Sequence, residues 1–500
     1  MPVRSFLPSF AAATMAVAAA QPAAASGRRA VVVTSAADAG PGSFRAAIQL
    51  ANATPSITHV VFAGRDRTVR LAAPVDFSGG QDLTIEGAGA TLDGAGIPGG
   101  PAFRATGGGS LAVLGLTVRN APAEGVEVQV PPTATGTLRL LLAGVHVTGN
   151  RGHGVLVNDQ VDSTTTDGVQ PNAEGSAASL AVTVLQSRFS GNGYSVSDRD
   201  GLRVNEGGAG ELTFVARFVA ADGNAADGIE LDERGTGDVR IDVLGATITG
   251  NGVFDPADLD DGFDIDEYDD GSITGSVAFA TASDNFEEGL DFNENNAGDL
   301  RVDLAFVEAS RNREEGIDYE EDDDFAGGGD LVVRMTGIRT NGNGADGGDA
   351  GLKIREKGAG ALQVAVAGVE ASNNLIGGIA IREDNLGALT ATIERASTTG
   401  NAGHGIDFDE NRATATDAGD LTAAVTDATA SFNSGSGVRA DQQTPGAGAL
   451  TLTRTTLDGN AGAATTGAGV TVTVVPWTLT RRDECGPGDG CLRGRGLYAV

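Results

Sequence analysis

Ten segments of this chain share one ruler, and that ruler limits what the chain can fold into. Each opens on an apolar residue and closes on Asn twelve positions later: LRLLLAGVHVTGN (138–150), LAVTVLQSRFSGN (180–192), LTFVARFVAADGN (212–224), VRIDVLGATITGN (239–251), and six more ending at Asn285, Asn312, Asn343, Asn374, Asn401 and Asn433. An eleventh, ending at Asn460, is two residues shorter. After each of the first ten Asn residues comes a second unit: Gly, apolar, any, apolar, any, acid. It reads GVLVND, GLRVNE, GIELDE, GFDIDE, GLDFNE, GIDYEE, GLKIRE, GIAIRE, GIDFDE and the weaker GVRADQ. Its apolar positions alternate with polar ones and point to one side of a strand. The leading Gly is expected to take a positive φ in a turn just before that strand.

Most coils are 27 residues: twelve from the apolar start to Asn, four to Gly, five to the acid and six to the next start. Long insertions fall at two places only. Residues 193–200, 252–261 and 344–350 follow the Asn; 160–179, 322–330 and 411–420 follow the acid. Length that varies at two corners while strand registers hold is the behaviour of a solenoid. Helical repeats are excluded by units too short, too β-branched and too often punctuated by Gly. A propeller blade needs roughly 40 residues or more. Two strands and a bend in one repeat make one turn of a parallel β-helix. With coils about 4.8 Å apart, some fifteen coils form a rod about 70 Å long. The Asn column is then structural, each amide bonding its neighbours above and below. Ile229, Leu231, Ile265, Phe292, Ile317, Tyr319, Ile406 and Phe408 are assigned to the core.

Composition agrees. Gly supplies 75 of 500 residues and aromatics only 5%, as a turn-rich fold with a thin core requires. A formal charge of −33 excludes nucleic-acid binding through a basic surface and favours cations or an extracellular matrix. Residues 1–25, with Arg4, an apolar run and Ala23-Ala24-Ala25, read as a secretory signal; Pro8, Gln21 and Pro22 argue against a membrane anchor. No later segment is apolar for long enough to span a bilayer. In an exported chain Cys485 and Cys491 are expected to close CGPGDGC as a disulfide. The division expected is signal 1–25, N-terminal cap 26–64, β-helix 65–475 and a C-terminal segment 476–500 with the cysteine pair. A monomer is expected.

The coil pattern resembles the right-handed parallel β-helix proteins of the pectin-lyase-like superfamily. Segment 31–64, VVVTSAADAGPGSFRAAIQLANATPSITHVVFAG, is similar to the SLREAI-type segment that precedes such helices in many exported bacterial proteins. Here it reads Ser43-Phe44-Arg45-Ala46-Ala47-Ile48, with Phe, Ala and Ala as departures and Gly42 in place of a leading Cys. The resemblance implies export and a short amphipathic helix over 42–53 capping the first coil. Phe44, Ala47, Ile48 and Ala51 fall at the matching helical spacing. It covers about 31–475 and implies a fold rather than an activity, since the superfamily holds lyases, hydrolases, adhesins and inert surface proteins.

Chemistry is sought on the outward face of the Gly-led strand. Its two columns read Leu156/Asn158, Arg203/Asn205, Glu230/Asp232, Asp264/Asp266, Asp291/Asn293, Asp318/Glu320, Lys353/Arg355, Ala380/Arg382, Asp407/Asp409 and Arg439/Asp441. The acid that follows adds Glu206, Glu233, Glu267, Glu294, Glu321, Glu356, Glu383 and Glu410. Like charges one coil apart repel by roughly 1 kcal/mol in water and more at a protein surface. Positions 230, 264, 291 and 318 carry this load with no basic partner expected in their column. Ca2+, a hard cation that takes carboxylate oxygens, is the expected neutraliser. Its candidate ligands are Glu230, Asp232, Asp264, Asp266, Asp291, Asp318 and Glu320, with Asp255, Asp258, Asp260 and Asp261 of one insertion in reserve. A solvated acidic face, relieved by Arg234, Arg240 and Arg301, is the alternative.

Two functions compete for this face. The first is an exported, non-catalytic β-helix showing a Ca2+-loaded surface to polysaccharide, cell surface or matrix. The second is implied by the resemblance. Pectate lyases of the superfamily hold acidic sugar through Ca2+ and abstract a proton with Arg or Lys, which places Lys353, Arg355 and Arg382 as candidate bases beside Asp291, Asp318 and Glu320. Gly152-His153-Gly154 and Gly403-His404-Gly405 match the Gly-His-Gly element of polygalacturonases poorly, because both sit at the ordinary corner of a coil. One Trp (Trp477) and four Tyr, with Tyr319 inward, are few rings for a sugar-processing groove.

Overall fold

The computed structural model describes residues 29–159, 175–195, 198–253, 259–322, 328–384, 386–410, 419–443, 445–463 and 465–476. The signal segment, the Cys485/Cys491 pair, Trp477, Asp255 and Asp258 lie outside the described residues.

Alternating apolar residues in the Gly-led unit force one face inward, and each strand then finds its edge partner one coil on. Fourteen such strands, from Val75–Phe77 to Thr465–Ala468, pair in strict chain order as one parallel sheet. The register holds from coil to coil: Ile229, Glu230, Leu231, Asp232 and Glu233 pair with Phe263, Asp264, Ile265, Asp266 and Glu267. The longer apolar units form a second, 20-stranded sheet. Strand Leu212–Asp222 shows how: it bends at Phe218, whose φ is 55°, and so supplies two sides of the coil. The chain is a right-handed parallel β-helix of about 14 turns.

The inward residues assigned from the sequence are all buried: Ile229, Leu231, Ile265, Phe292, Ile317, Tyr319, Ile406 and Phe408. Phe292 and Tyr319 pack at 4.7 Å between ring centres, and the Tyr319 hydroxyl donates to the Val302 carbonyl at 2.9 Å. A helix, α1 (Phe44–Ala53), plugs the N-terminal end of the core. Ser43 caps it by accepting the Ala46 amide, and Phe44, Ala47, Ile48 and Ala51 are buried. Phe44 packs on Phe62 and Phe103, at 5.5 and 6.1 Å.

The Asn column is a continuous ladder. Side-chain Nδ2 donates to the next Oδ1, as from Asn150 to Asn192 (2.9 Å), Asn224 to Asn251 (3.0 Å) and Asn401 to Asn433 (3.0 Å), and at Asn312 the backbone amide reaches Asn343 Oδ1 at 2.8 Å. The Gly that follows four residues later does not take a positive φ, contrary to the expectation. Its need is steric. A Cβ on Gly405 would lie 2.6 Å from both Asn433 Nδ2 and the Gly437 carbonyl oxygen, and Gly228 is confined the same way by Asn251 and Gly262. Positive φ belongs instead to the residue just before the Asn, such as Gly149, Gly250 and Gly400, and also Asp284, Arg311 and Phe432.

Candidate functional site

The outward columns divide into three zones. Arg203 commands the first. Its guanidinium is buried, with Nη2 2.5 Å from Glu230 Oε1 and 2.8 Å from Asp232 Oδ2. Asp198 pairs with its Nη1, and Asp200 Oδ2 lies 3.5 Å away. The 193–200 insertion therefore supplies two of the four acids around this cation. In the third zone Lys353 Nζ reaches Asp318 Oδ2 at 2.6 Å and Glu320 Oε2 at 3.0 Å, while Lys357 also pairs with Glu320. The columns thus contain their own cations, contrary to the expectation of four successive unpartnered acids. Arg203 answers Glu230, and Lys353 answers Asp318.

Between these cations the acids stand alone. Among the described residues Asp264 and Asp291 have no ion-pair partner. Two three-carboxylate groups repeat here one coil apart. Asp227, Glu230 and Asp264 form the first and Asp261, Asp264 and Asp291 the second, with ligand oxygens in each lying within 4.8 Å of one another. Each group combines a corner acid, an outward acid and the outward acid of the next coil. Glu230 Oε2, Asp264 Oδ1 and Asp291 Oδ1 are shut off from solvent and have no hydrogen-bond partner. Burial pushes the Asp264 carboxyl well above the usual range, and Asp266, Asp291, Asp261 and Asp227 push it further. Asp291 is raised likewise, by burial and then by Asp318 and Asp261, with Asn293 opposing. A cleft of about 190 Å³ opens over the first group, walled by Asp260, Asp261 and Glu287 as well.

Corner acids Asp227, Glu288 and Glu315 stand out from the sequence only as variants of the middle residue at a turn. Their common role explains their placement. Four corner side chains accept a backbone amide one coil on: Asp200 from Asp227 N (3.1 Å), Asp227 from Asp261 N (2.5 Å), Asp261 from Glu288 N (2.6 Å) and Glu315 from Asp349 N (2.7 Å). The same column contains His153, which accepts from Asp200 N at 3.0 Å, and His404, which accepts from Ser436 N at 2.9 Å. Both Gly-His-Gly triplets are corner rungs. Further acid groups follow this corner, Asp198/Asp200/Glu230, Asp261/Glu287/Glu288 and Glu288/Glu314/Glu315.

The other candidate ligands have partners of their own. Asp232 is bound by Arg203. Asp266 accepts the Tyr268 hydroxyl at 2.5 Å, and that ring lies 4.0 Å under the Arg234 guanidinium. Asp266 and Asp318 are each pushed up to about 6, chiefly by burial; Lys353 offsets part of the effect at Asp318. The candidate bases are also engaged. Burial opposes the charge on Lys353, but the Asp318 carboxylate and its hydrogen bond outweigh this and raise its pKa. Arg355 binds Asp384 at 2.7 Å and Arg382 binds Asp349 at 2.5 Å.

The column of following acids is not on this face. Glu206, Glu233, Glu267, Glu294, Glu321, Glu356, Glu383 and Glu410 are all fully buried. They share the strand parity of the core residues and turn inward at the corner.

Exposed rings are present as well. Phe218, Phe279 and Phe306 stand on the opposite bend, more than half exposed. Their faces are covered along the rod: Phe279 stacks on Phe306 at 5.1 Å, and the rings of Phe218 and Phe306 lie against the bare Cα of Gly245 and Gly337. They form a stacking ladder rather than a platform for sugar.

The coil path defines a fold class, the right-handed parallel β-helix. No protein-family model and no curated protein matches the chain. Solved structures with a similar path include the pectate lyase Pel9A, with TM-score 0.41 and 16% identity over 70% of this chain and 80% of that one. The periplasmic alginate epimerase AlgG aligns with TM-score 0.32 and 12% identity over 87% and 89%. PfbA, a surface adhesin of Streptococcus pneumoniae, aligns with TM-score 0.19 and 10% identity over 92% and 97%.

Proposed function

We propose that this chain is an exported, non-catalytic β-helix whose acidic face binds Ca2+ and presents it to a polysaccharide of the cell surface or matrix. One observation carries the reading. Two successive three-carboxylate groups, 227/230/264 and 261/264/291, bring ligand oxygens within 4.8 Å of one another, and Glu230 Oε2, Asp264 Oδ1 and Asp291 Oδ1 are buried without hydrogen-bond partners. Ionised carboxylates so placed need a hard cation or protons, and Ca2+ takes this donor type readily. Asp227, Asp261, Glu230, Asp264 and Asp291 would hold it. Bound Ca2+ would supply a positive centre for the carboxylates or hydroxyls of a sugar polymer. Asp318 and Glu320 have Lys353 for that purpose, and Asp232 has Arg203.

The non-catalytic half of the reading rests on the bases. Lys353 is held as an ammonium by Asp318, and Arg355 and Arg382 are committed to Asp384 and Asp349. A Ca2+-dependent lyase acting on uronate polymers would need one of them released.

Thermal unfolding of the protein in excess Ca2+ and in chelator is the test. Ligand at about a hundred times its Kd adds about 2.7 kcal/mol of stability. A midpoint that rises by several degrees with Ca2+, far less with Mg2+, and not at all in Asp264→Asn supports the site. An unchanged midpoint in the native sequence overturns it. Unsaturated product released from a uronate polymer by the protein, and lost in Lys353→Ala, would overturn the non-catalytic reading.

A further inference from the structure

The eight inward glutamates form a second column, separate from the acidic face. Glu356 and Glu383 each use one carboxyl oxygen on their own turn: Glu356 Oε1 accepts from Gly358 N at 2.8 Å and Gly360 N at 3.2 Å, and Glu383 Oε1 from Gly387 N at 2.8 Å. The remaining oxygens of Glu356 (Oε2), Glu383 (Oε2) and Glu410 (Oε1) are buried and meet no donor. Carboxyls of successive coils interact with one another, Glu321 with Glu356, Glu356 with Glu383 and Glu383 with Glu410. Carboxylates only accept, so a bond between two carboxyls needs a proton on one of them. The last rung shows which form the column accommodates. At residue 442 the acid is replaced by Gln, the neutral isostere of a protonated Glu. Its amide Nε2 donates to Glu410 Oε2, and its Oε1 accepts from Leu421 N at 2.7 Å. The Asn ladder has the same arrangement of acceptor and donor.

Among the described residues no cation is placed to do the work of those protons. The charged groups facing the column are acids: Asp159, linked to Glu206 at the first rung, Asp269 beside Glu233, and Asp384 beside Glu383. The flanking basic residues turn outward, Arg234 over the Tyr268 ring and Lys357 onto Glu320. The turn that each glutamate bonds carries a column of glycines, Gly360, Gly387 and Gly419, stacked backbone on backbone.

We propose that Glu356, Glu383 and Glu410, continued by Gln442, form a buried proton-binding array, a ladder of neutral carboxylic acids that joins coil to coil and comes apart as pH rises. Burial is the largest cause of the raised values at Glu356, Glu383 and Glu410, pushing Glu410 up to about 8 and Glu356 to about 10. The folded chain binds more protons than the unfolded chain, so stability falls with rising pH. The contribution is whole below the unfolded glutamate pKa of about 4.3 and is lost as pH climbs through the folded values.

Rungs 356, 383 and 410 lie clear of the acidic face and carry the test. Thermal midpoints of the full chain are measured from about pH 5 to about pH 10, in chelator throughout. The native protein is expected to lose stability steadily above neutral pH. The Glu356→Gln/Glu383→Gln double variant should show a shallower fall and a higher midpoint at alkaline pH, since an amide keeps the donor without a titratable proton. A native midpoint that is flat or rises with pH overturns the proposal, as does an unchanged slope in a folded double variant. Infrared spectroscopy tests it without any variant. A carboxylic-acid carbonyl band should be present in the native protein at neutral pH in chelator and should fade at alkaline pH. Its absence at neutral pH overturns the proposal. The chelator keeps this result independent of Ca2+ on the outer face.

Discussion

Replacing Asn401 by Ala removes one rung from the middle of the Asn ladder, and the cost can be worked from its bonds. The side chain makes four. Its Oδ1 accepts from Asn374 N at 3.0 Å and Asn374 Nδ2 at 3.1 Å; its Nδ2 donates to the Ala371 carbonyl and to Asn433 Oδ1, both at 3.0 Å. Asn433 Oδ1 keeps one donor in the variant, the residue 401 backbone amide at 3.0 Å. The Asn374 amide, one N–H of its side chain and the Ala371 carbonyl are left without that partner in a buried position. Each buried orphan costs about 1–3 kcal/mol, and a water entering the vacated volume recovers part. The loss should be about 3–5 kcal/mol. Asn460→Ala is the internal control. Asn460 also has four side-chain bonds, but it is only part-buried and solvent can replace them, so its removal should cost about 1 kcal/mol. Urea unfolding followed by circular dichroism reads both, and amide hydrogen exchange at Asn374 reports whether the solenoid opens locally first. If Asn401→Ala costs under about 1 kcal/mol, or no more than Asn460→Ala, the ladder is not the source of stability argued from its geometry.

Removing Arg203 by Arg203→Ala strands Asp198, Asp200, Glu230 and Asp232 together; the loss at neutral pH should be about 3–5 kcal/mol and should shrink on acidification as those carboxyls take up protons, which urea midpoints at two pH values will check. Gly387→Ala places a Cβ 1.7 Å from the Gly360 carbonyl oxygen. That neighbour is backbone and cannot swing aside, so a loss of about 3 kcal/mol is expected; a thermal midpoint equal to the native one would refute the close stacking. In Asp427→Ala, by contrast, only the exposed Arg454 pair is lost, and the midpoint should stay within experimental scatter.

Much of the fold was legible in the residues. The twelve-residue ruler to Asn, the alternation after Gly and the two insertion points identify a solenoid coil, and the core assignments follow from parity. Two readings needed coordinates. The glycine before GIELDE-type strands was given a turn role because φ freedom is its commonest local use; its actual constraint, the Asn433 amide against Gly405, comes from the next coil. The Glu column, grouped with the outward columns on the sequence, turns inward, although an ionised carboxylate is costly to bury. Parity already put Glu233 on the side of Ile229 and Leu231, and its Oε1 accepts the Gly237 amide at 3.2 Å, so the buried carboxyl is not left wholly without partners.

For the candidate site the division is sharper. The sequence showed which coils are acidic, and it placed Glu230, Asp264, Asp291 and Asp318 in one column, because a 27-residue period fixes register. It did not show that Arg203 takes Asp232, that Lys353 takes Asp318, or that Asp227 and Asp261 turn in from the corner to join Asp264. Those choices depend on side-chain directions and on insertion geometry, which no period encodes. Periodicity by itself determined the coil, its register and its core, since backbone pairing between identical repeats leaves one way to stack them. Only the tertiary structure decided which acids are neutralised by a neighbouring cation, which are left facing one another, and which hold their protons. The free energy of a charge depends on what lies within a few ångströms of it, and in a solenoid those neighbours belong to other coils.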